Sequence, residues 1–284
     1  MSGVRREQPA PGPAIDVASA LARADEQKWS FRVRVRRQDG PADTRSRRWD
    51  EFELPWRPGL SVHDCLEAIE RDPRTARGER VRAPAWDASC VEGRCGACTM
   101  LVNGRPRQAC VTLVDPLMLE TNAASLELAP LSKFPVLRDL VVDRSSARAA
   151  LRRVKAWVEL DREPAEPSVT PSRRRLALAP TAGASSPCIG CAACLEACPE
   201  LHAGSLFVGA ASIHEAKLAV DLQAGSPAAD ERLDALMGPG GVAECGKSQN
   251  CVEVCPASLP LDESIASVAR AATKRLFGRW FARR

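Results

Sequence analysis

The 284-residue chain has no tyrosine, and its few Trp and Phe bring aromatics to only 4%. A core poor in large rings must be filled by aliphatic side chains or braced by something stronger than packing. Histidine is also scarce. His63, His202 and His214 are scattered, and each reads as a surface or packing residue, so no histidine-based metal site or acid–base pair is expected. Lysine supplies only six of the forty basic residues, and the net charge is +4. An arginine bias this diffuse identifies no nucleic-acid partner. No apolar run approaches the roughly 20 residues a spanning helix requires, so a soluble or peripheral protein is expected. Arg5-Arg6 lacks a following apolar region, which argues against a twin-arginine export signal.

Cysteine, by contrast, is plentiful: there are twelve, and eleven are patterned. Cys188-Ile-Gly-Cys191-Ala-Ala-Cys194-Leu-Glu-Ala-Cys198-Pro199 has spacing x2, x2, x3 and then proline. Cys245-Gly-Lys-Ser248-Gln-Asn-Cys251-Val-Glu-Val-Cys255-Pro256 repeats it with serine at one place. This is the two-cluster bacterial ferredoxin spacing, in which three thiolates of a run hold one cubane and the fourth crosses to the other. Crossing assigns Cys188, Cys191, Cys194 and Cys255 to a [4Fe–4S] cluster. Cys198, Cys245 and Cys251 remain for the second, and three thiolates suit a [3Fe–4S] cluster with its empty corner at Ser248. A serine alkoxide holding a fourth iron is the other reading of that corner, although a hydroxyl of ordinary pKa is a poor iron ligand at neutral pH.

Upstream, Cys90-Val-Glu-Gly-Arg-Cys95-Gly-Ala-Cys98 and the later Cys110 have the plant-type [2Fe–2S] spacing. Gly93 and Gly96 permit the tight turns that aim amide hydrogens at sulfur. Cys65 is the odd one out. It falls on an apolar helix face with Val62, Leu66 and Ile69 and is expected in the core. Structural zinc remains an alternative for any single Cys-x2-Cys. Disulfides suit small secreted domains, and neither alternative accounts for a repeated four-member run ending in proline. A zinc-stabilised nucleic-acid-binding or scaffolding protein would be colourless, whereas an iron–sulfur protein is brown.

The fold class expected is α+β, in two domains. Residues 1–28 read as a flexible N-terminal extension. Residues 29–131 form a β-grasp [2Fe–2S] ferredoxin-like domain. Phe31, Val33 and Val35 alternate with arginines in a strand, a second strand carries Phe52 and Leu54, and Ser61 caps a helix with Asp64 three residues on. The strand Thr99–Val102, an Asn103-Gly104 turn and a return strand bring Cys110 back, and a last strand lies near Leu126–Leu128. Residues 132–284 are expected to be an all-α domain resembling a two-cluster bacterial ferredoxin. Its helices are predicted over Val136–Trp157, Ser212–Leu222 and Ala228–Met237, with a stop at Gly238–Gly241 and a Pro/Ser/Arg-rich connection over 161–187. Arg270–Arg284 mixes basic residues with Leu276, Phe277, Trp280 and Phe281. It reads either as a membrane- or partner-facing segment or as a solvated helix end.

Taken together, this order resembles the iron–sulfur subunit of succinate dehydrogenase and fumarate reductase over roughly residues 29–270. Asn103-Gly-Arg-Pro-Arg-Gln-Ala-Cys110, Phe134-Pro-Val-Leu-Arg-Asp-Leu140, Val154-Lys-Ala-Trp157 and Ser248-Gln-Asn-Cys251 carry the likeness, closest to the menaquinone-linked branch with a diheme cytochrome b anchor. The resemblance implies a succinate:quinone oxidoreductase complex, with FAD in a flavoprotein subunit, heme b in a cytochrome b membrane anchor, and no substrate-bond chemistry or catalytic residue in this chain. It implies a place peripheral to the cytoplasmic face of a bacterial inner membrane, with electrons moving from FAD through three clusters to quinone. Fumarate reductase, or another quinone-linked dehydrogenase, is the alternative. Ubiquinone-reducing relatives carry His and Trp where Gly246 and Ala203 stand here, so menaquinone is the expected quinone.

Overall fold

The computed structural model describes residues 29–41, 43–157, 188–224 and 226–282. The expected extension over 1–28 and connection over 161–187 lie outside the described residues.

Strand β1 (Ser30–Arg37) pairs antiparallel with β2 (Arg48–Pro55), setting Val33 opposite Phe52. On its other side β1 runs parallel to β5 (Ser125–Ala129), which pairs with β3 (Thr99–Val102), and β4 (Arg105–Gln108) closes the order β2-β1-β5-β3-β4. The two-residue period of β1 sends Phe31, Val33 and Val35 inward and Arg32 and Arg34 outward, where Arg32 pairs with Glu51 at 2.6 Å. Helix α1 (Val62–Arg71) covers the inner face. Ser61 accepts the amide of Asp64 and the Asp64 carboxylate accepts that of Ser61, a complete capping box. Val62, Cys65, Leu66 and Ile69 are all buried, each large apolar side chain contributing about 1.5–3 kcal/mol over its exposed state. Burial pushes the Cys65 thiol up to about 12, as befits an inert core residue. A short helix α2 (Val114–Thr121) leads into β5.

The predicted helix over Val136–Trp157 is corrected. The chain first makes a two-stranded ribbon, β6 (Val136–Arg138) and β7 (Val141–Val142), and only then helix α3 (Ser145–Arg153). Its apolar residues divide between two cores rather than sharing one helix face. Leu140 packs with the sheet, Val142 joins the second core, and Leu137 is exposed. Asp139 turns the ribbon at φ 48° and reaches back to Arg37, at 3.0 Å from its Nε, and to the amides of Gln38 and Ala85. Arg37 also pairs with Asp50 at 2.5 Å, and Arg37 and Asp139 are fully buried. Burial works against the Asp139 charge, but the Ala85 amide, Arg37 and the Gln38 amide together hold its carboxyl below the usual carboxylate range.

The second core belongs to helices α4 (Ala193–Ala197), α5 (Gly209–Leu222), α6 (Pro227–Met237), α7 (Asn250–Glu253) and the 22-residue α8 (Leu261–Ala282). Ser226 caps α6, accepting the amide of Ala229 at 3.2 Å with Pro227 at the first helical position. Small residues on α5 let it pack closely, and a side chain on Gly209 would collide with Leu195 of α4. Ile213, Ala216, Leu236 and Leu261 centre this core.

Candidate metal centres

The loop of residues 90–98 is shaped by left-handed backbone at Val91, Gly93 and Gly96, with φ of 57°, 73° and 69°. These turns aim the amides of Glu92 and Arg94 at Cys90 Sγ, at 3.4 and 3.2 Å, and that of Ala97 at Cys95 Sγ, at 3.5 Å. The amides, led by Glu92, bring the Cys90 thiol down to about 7. The β3–β4 hairpin turns at Asn103 and Gly104 (φ 49° and 77°) and returns Cys110 to a single 3-10 turn just past β4. There its Sγ lies 3.4 Å from that of Cys98. Burial pushes Cys98 up to about 11. Gathered thiols with amides on sulfur suit a flat iron–sulfur cluster, since each amide favours the more negative reduced state.

In the helical region a cavity of about 200 Å³ is lined by Cys188, Cys191, Cys194 and Cys255, with Leu151, Ile189 and Leu195 among its apolar walls. The first three come from one run and the fourth from the last position of the other. The volume is several times that of a water molecule, too large for one coordinated ion and suited to a cubane. Burial raises the thiols of Cys188, Cys191 and Cys194, a cost that bonding to iron removes by fixing the thiolate. The amide of Leu259 points at Cys255 Sγ at 3.4 Å.

Cys245 and Cys251 line a wider opening of about 670 Å³ whose far wall is α8, through Asp262, Glu263, Ile265, Ala266, Ala269 and Arg270. Burial raises Cys251, and the neighbouring charges of Cys245 and Cys198 push the same way, so these three thiols form one electrostatic group. Ser248 is exposed, between Lys247 and Gln249. Asn250 donates to Ala197 O at 3.0 Å and ties α7 to α4. Gly246 packs against the Glu200 carboxylate, and Ala203 is exposed.

The first two centres meet at a junction that carries no recognisable motif. A Cβ on Gly96 would lie 2.6 Å from Cys191 Cα and 2.7 Å from its Cβ, so only glycine allows the two loops to touch. Beside this contact Arg144 donates to the carbonyls of Gly96, Ala97 and Thr99 at 2.8, 3.1 and 3.1 Å. Glu196 of α4 accepts the amides of Ser132 and Lys133 at 3.0 and 3.1 Å, stitching the two regions together. Sulfur contacts and mutual charge effects link Cys90 with Cys95 and Cys98 with Cys110, one cavity joins Cys188, Cys191, Cys194 and Cys255, and Cys198 and Cys245 act on Cys251, while Cys65 lies in the core beneath the sheet. His63 packs edge-on against Trp86, His214 is buried against Ser264 at 2.8 Å, and His202 is exposed. Arg144 went unrecognised in the sequence because its acceptors are main-chain carbonyls.

Comparison with known proteins matches residues 32–149 to the 2Fe-2S iron-sulfur cluster binding domain and residues 184–259 to the 4Fe-4S dicluster domain. The chain is 40% identical over 259 residues to the succinate dehydrogenase iron-sulfur subunit of Bacillus subtilis, spanning 90% of this chain and 97% of that one. It is 32% identical over 214 residues to the fumarate reductase iron-sulfur subunit of Haemophilus influenzae, covering 72% and 78% of the two chains. Its fold is similar to a chain in a solved structure described as the Mycobacterium smegmatis Sdh1 complex in the apo form, with TM-score 0.64 and 22% identity, covering 88% of this chain and 98% of that one.

Proposed function

The chain belongs to the iron–sulfur subunits of succinate dehydrogenase and fumarate reductase, and from that premise we propose that its eleven patterned cysteines hold three clusters forming a path for single electrons. It is the electron-transfer subunit of a succinate:quinone oxidoreductase complex that also contains a flavoprotein and a membrane anchor.

In this reading Cys90, Cys95, Cys98 and Cys110 hold [2Fe–2S]. Cys188, Cys191, Cys194 and Cys255 hold [4Fe–4S], and Cys198, Cys245 and Cys251 hold [3Fe–4S]. The observation that carries it is the composition of the cavity of about 200 Å³, three thiols from one run and the fourth from the other. The clusters accept and release one electron at a time, which lets an electron pair leaving a flavin reach a quinone in single steps. The chain's own contribution is to hold the thiolates, aim amides at sulfur and bury the middle site.

Gly246 and Ala203 support menaquinone as the quinone, since neither offers the ring or indole a ubiquinone-type pocket in this subunit would use. Among the described residues no helix is long and apolar enough to cross a membrane, and association with the complex is peripheral. We place it on the cytoplasmic face and assign the physiological direction to succinate oxidation. Anaerobically purified complex should carry about nine atoms of non-heme iron and about ten of acid-labile sulfide, the sums over the three clusters, with three separable EPR signals. Zinc, or fewer than three signals, overturns the ligand sets. Succinate and fumarate assays against quinones of differing potential test direction and quinone together.

A further inference from the structure

Arg144 lies at the N-terminal end of α3, half-buried, where the Cys95–Cys98 loop touches Cys191. Its hydrogen-bond acceptors are three neutral carbonyls, so its charge is not cancelled at the bonds that hold it. The ionisable groups facing it are Cys191, Asp87, Cys98 and Cys95, that is, thiols of two different centres and one exposed acid. A fixed cation in a partly desolvated place acts more strongly on nearby charge than one in water. Reduction adds one negative charge to a cluster, and a cation beside the ligands favours that state.

We propose that Arg144 is a positioning residue that raises the reduction potentials of the first two centres together, its guanidinium clamping the 96–99 carbonyls while its charge serves both sides of the Gly96–Cys191 contact. One cation shared in this way shifts donor and acceptor in the same direction, so the driving force between them changes less than either potential alone. The thiols of the third centre, Cys198, Cys245 and Cys251, are not among the charges that act on Arg144. The proposal rests on the ligand sets given above.

The test is an EPR redox titration of the intact complex carrying Arg144→Gln or Arg144→Lys. Arg144→Gln is expected to lower the midpoints of the [2Fe–2S] and [4Fe–4S] signals and leave the third unmoved, while Arg144→Lys, which keeps the charge, stays closer to the parent. Intact signals at unshifted midpoints, a lysine variant displaced as far as the glutamine variant, or all three midpoints moving together each overturn the proposal. Should Arg144→Gln fail to assemble, Asp87→Asn removes the opposing charge and is expected to move the same two midpoints upward; no movement there overturns it equally. Absence of three signals in the parent complex indicts the ligand sets instead, so the two failures are distinguishable.

Discussion

At Gly190 and Lys247 the backbone turns through φ of 65° and 58°, and at Ala192 and Gln249 through 67° and 62°. The two cysteine runs therefore follow one path, each entering a short helix at the residue after its second left-handed position. Only one of those four positions is glycine, and the others accept a strain of about 1–2 kcal/mol apiece. What differs is the setting. Cys191 is buried at a small, largely apolar cavity of about 200 Å³, whereas Ser248, its counterpart, is exposed beside a cavity of about 670 Å³ edged by Lys247, Asp262, Glu263 and Arg270. The comparison separates two tasks that a shared loop would otherwise confuse. Backbone geometry fixes where a cluster corner falls, while the residue at that corner and the walls around it decide which cluster forms and what can approach it.

The comparison can be broken most severely at the smaller, apolar site. Cys194→Ala should cost about four iron atoms per chain and prevent stable assembly of the helical region, because ligation there is also folding free energy. Cys251→Ala should remove the three-iron centre yet spare the cubane, as iron analysis and EPR would record. Next in size, Ser248→Cys should add about one iron and lower the potential of the last centre. An unchanged low-temperature spectrum in that variant counts against the crossed assignment. A smaller effect tests the shared backbone: Ala192→Gly and Gln249→Gly should each stabilise the loaded subunit by about 1 kcal/mol in denaturant titration, and by similar amounts. Unequal responses would mean that the two loops are not equivalent.

The smallest expected effect concerns the thiols of iron-free chain. Cys90, brought down to about 7, is substantially thiolate at pH 8, whereas burial raises Cys194 far above that pH. Peptide mapping after brief alkylation at pH 8 should find Cys90 modified well before Cys194. Lowering the pH below 7 should slow Cys90 as its thiolate is protonated.

Much of this was legible in the residues, and for reasons that can be named. Cluster spacings are local, so the patterned thiols announce themselves, and the repeat pointed to Cys255 as the one that joins Cys188, Cys191 and Cys194 around one cavity. The Ser61 cap and the Asn103-Gly104 turn are likewise short-range chemistry. The Val136–Val142 ribbon misled because its apolar residues serve two cores and imitate a helical period. The Arg37–Asp139 pair was missed although one clue was present: Phe31, Val33 and Val35 face inward, so Arg37 shares their register and must be buried with a partner. That partner stands 102 residues away, and alternation in β1 cannot point to it.

Helix α8 has two ends of different character. Its first turns wall the opening at Cys245 and Cys251, while its last carry Leu276, Phe277, Trp280 and Phe281, each about half exposed or more. For a biochemist handling the subunit apart from its complex, this is a matter of colloidal behaviour. Such a tip will drive self-association and loss on surfaces, and a mild detergent should restore a single species in sedimentation without disturbing the colour of the centres.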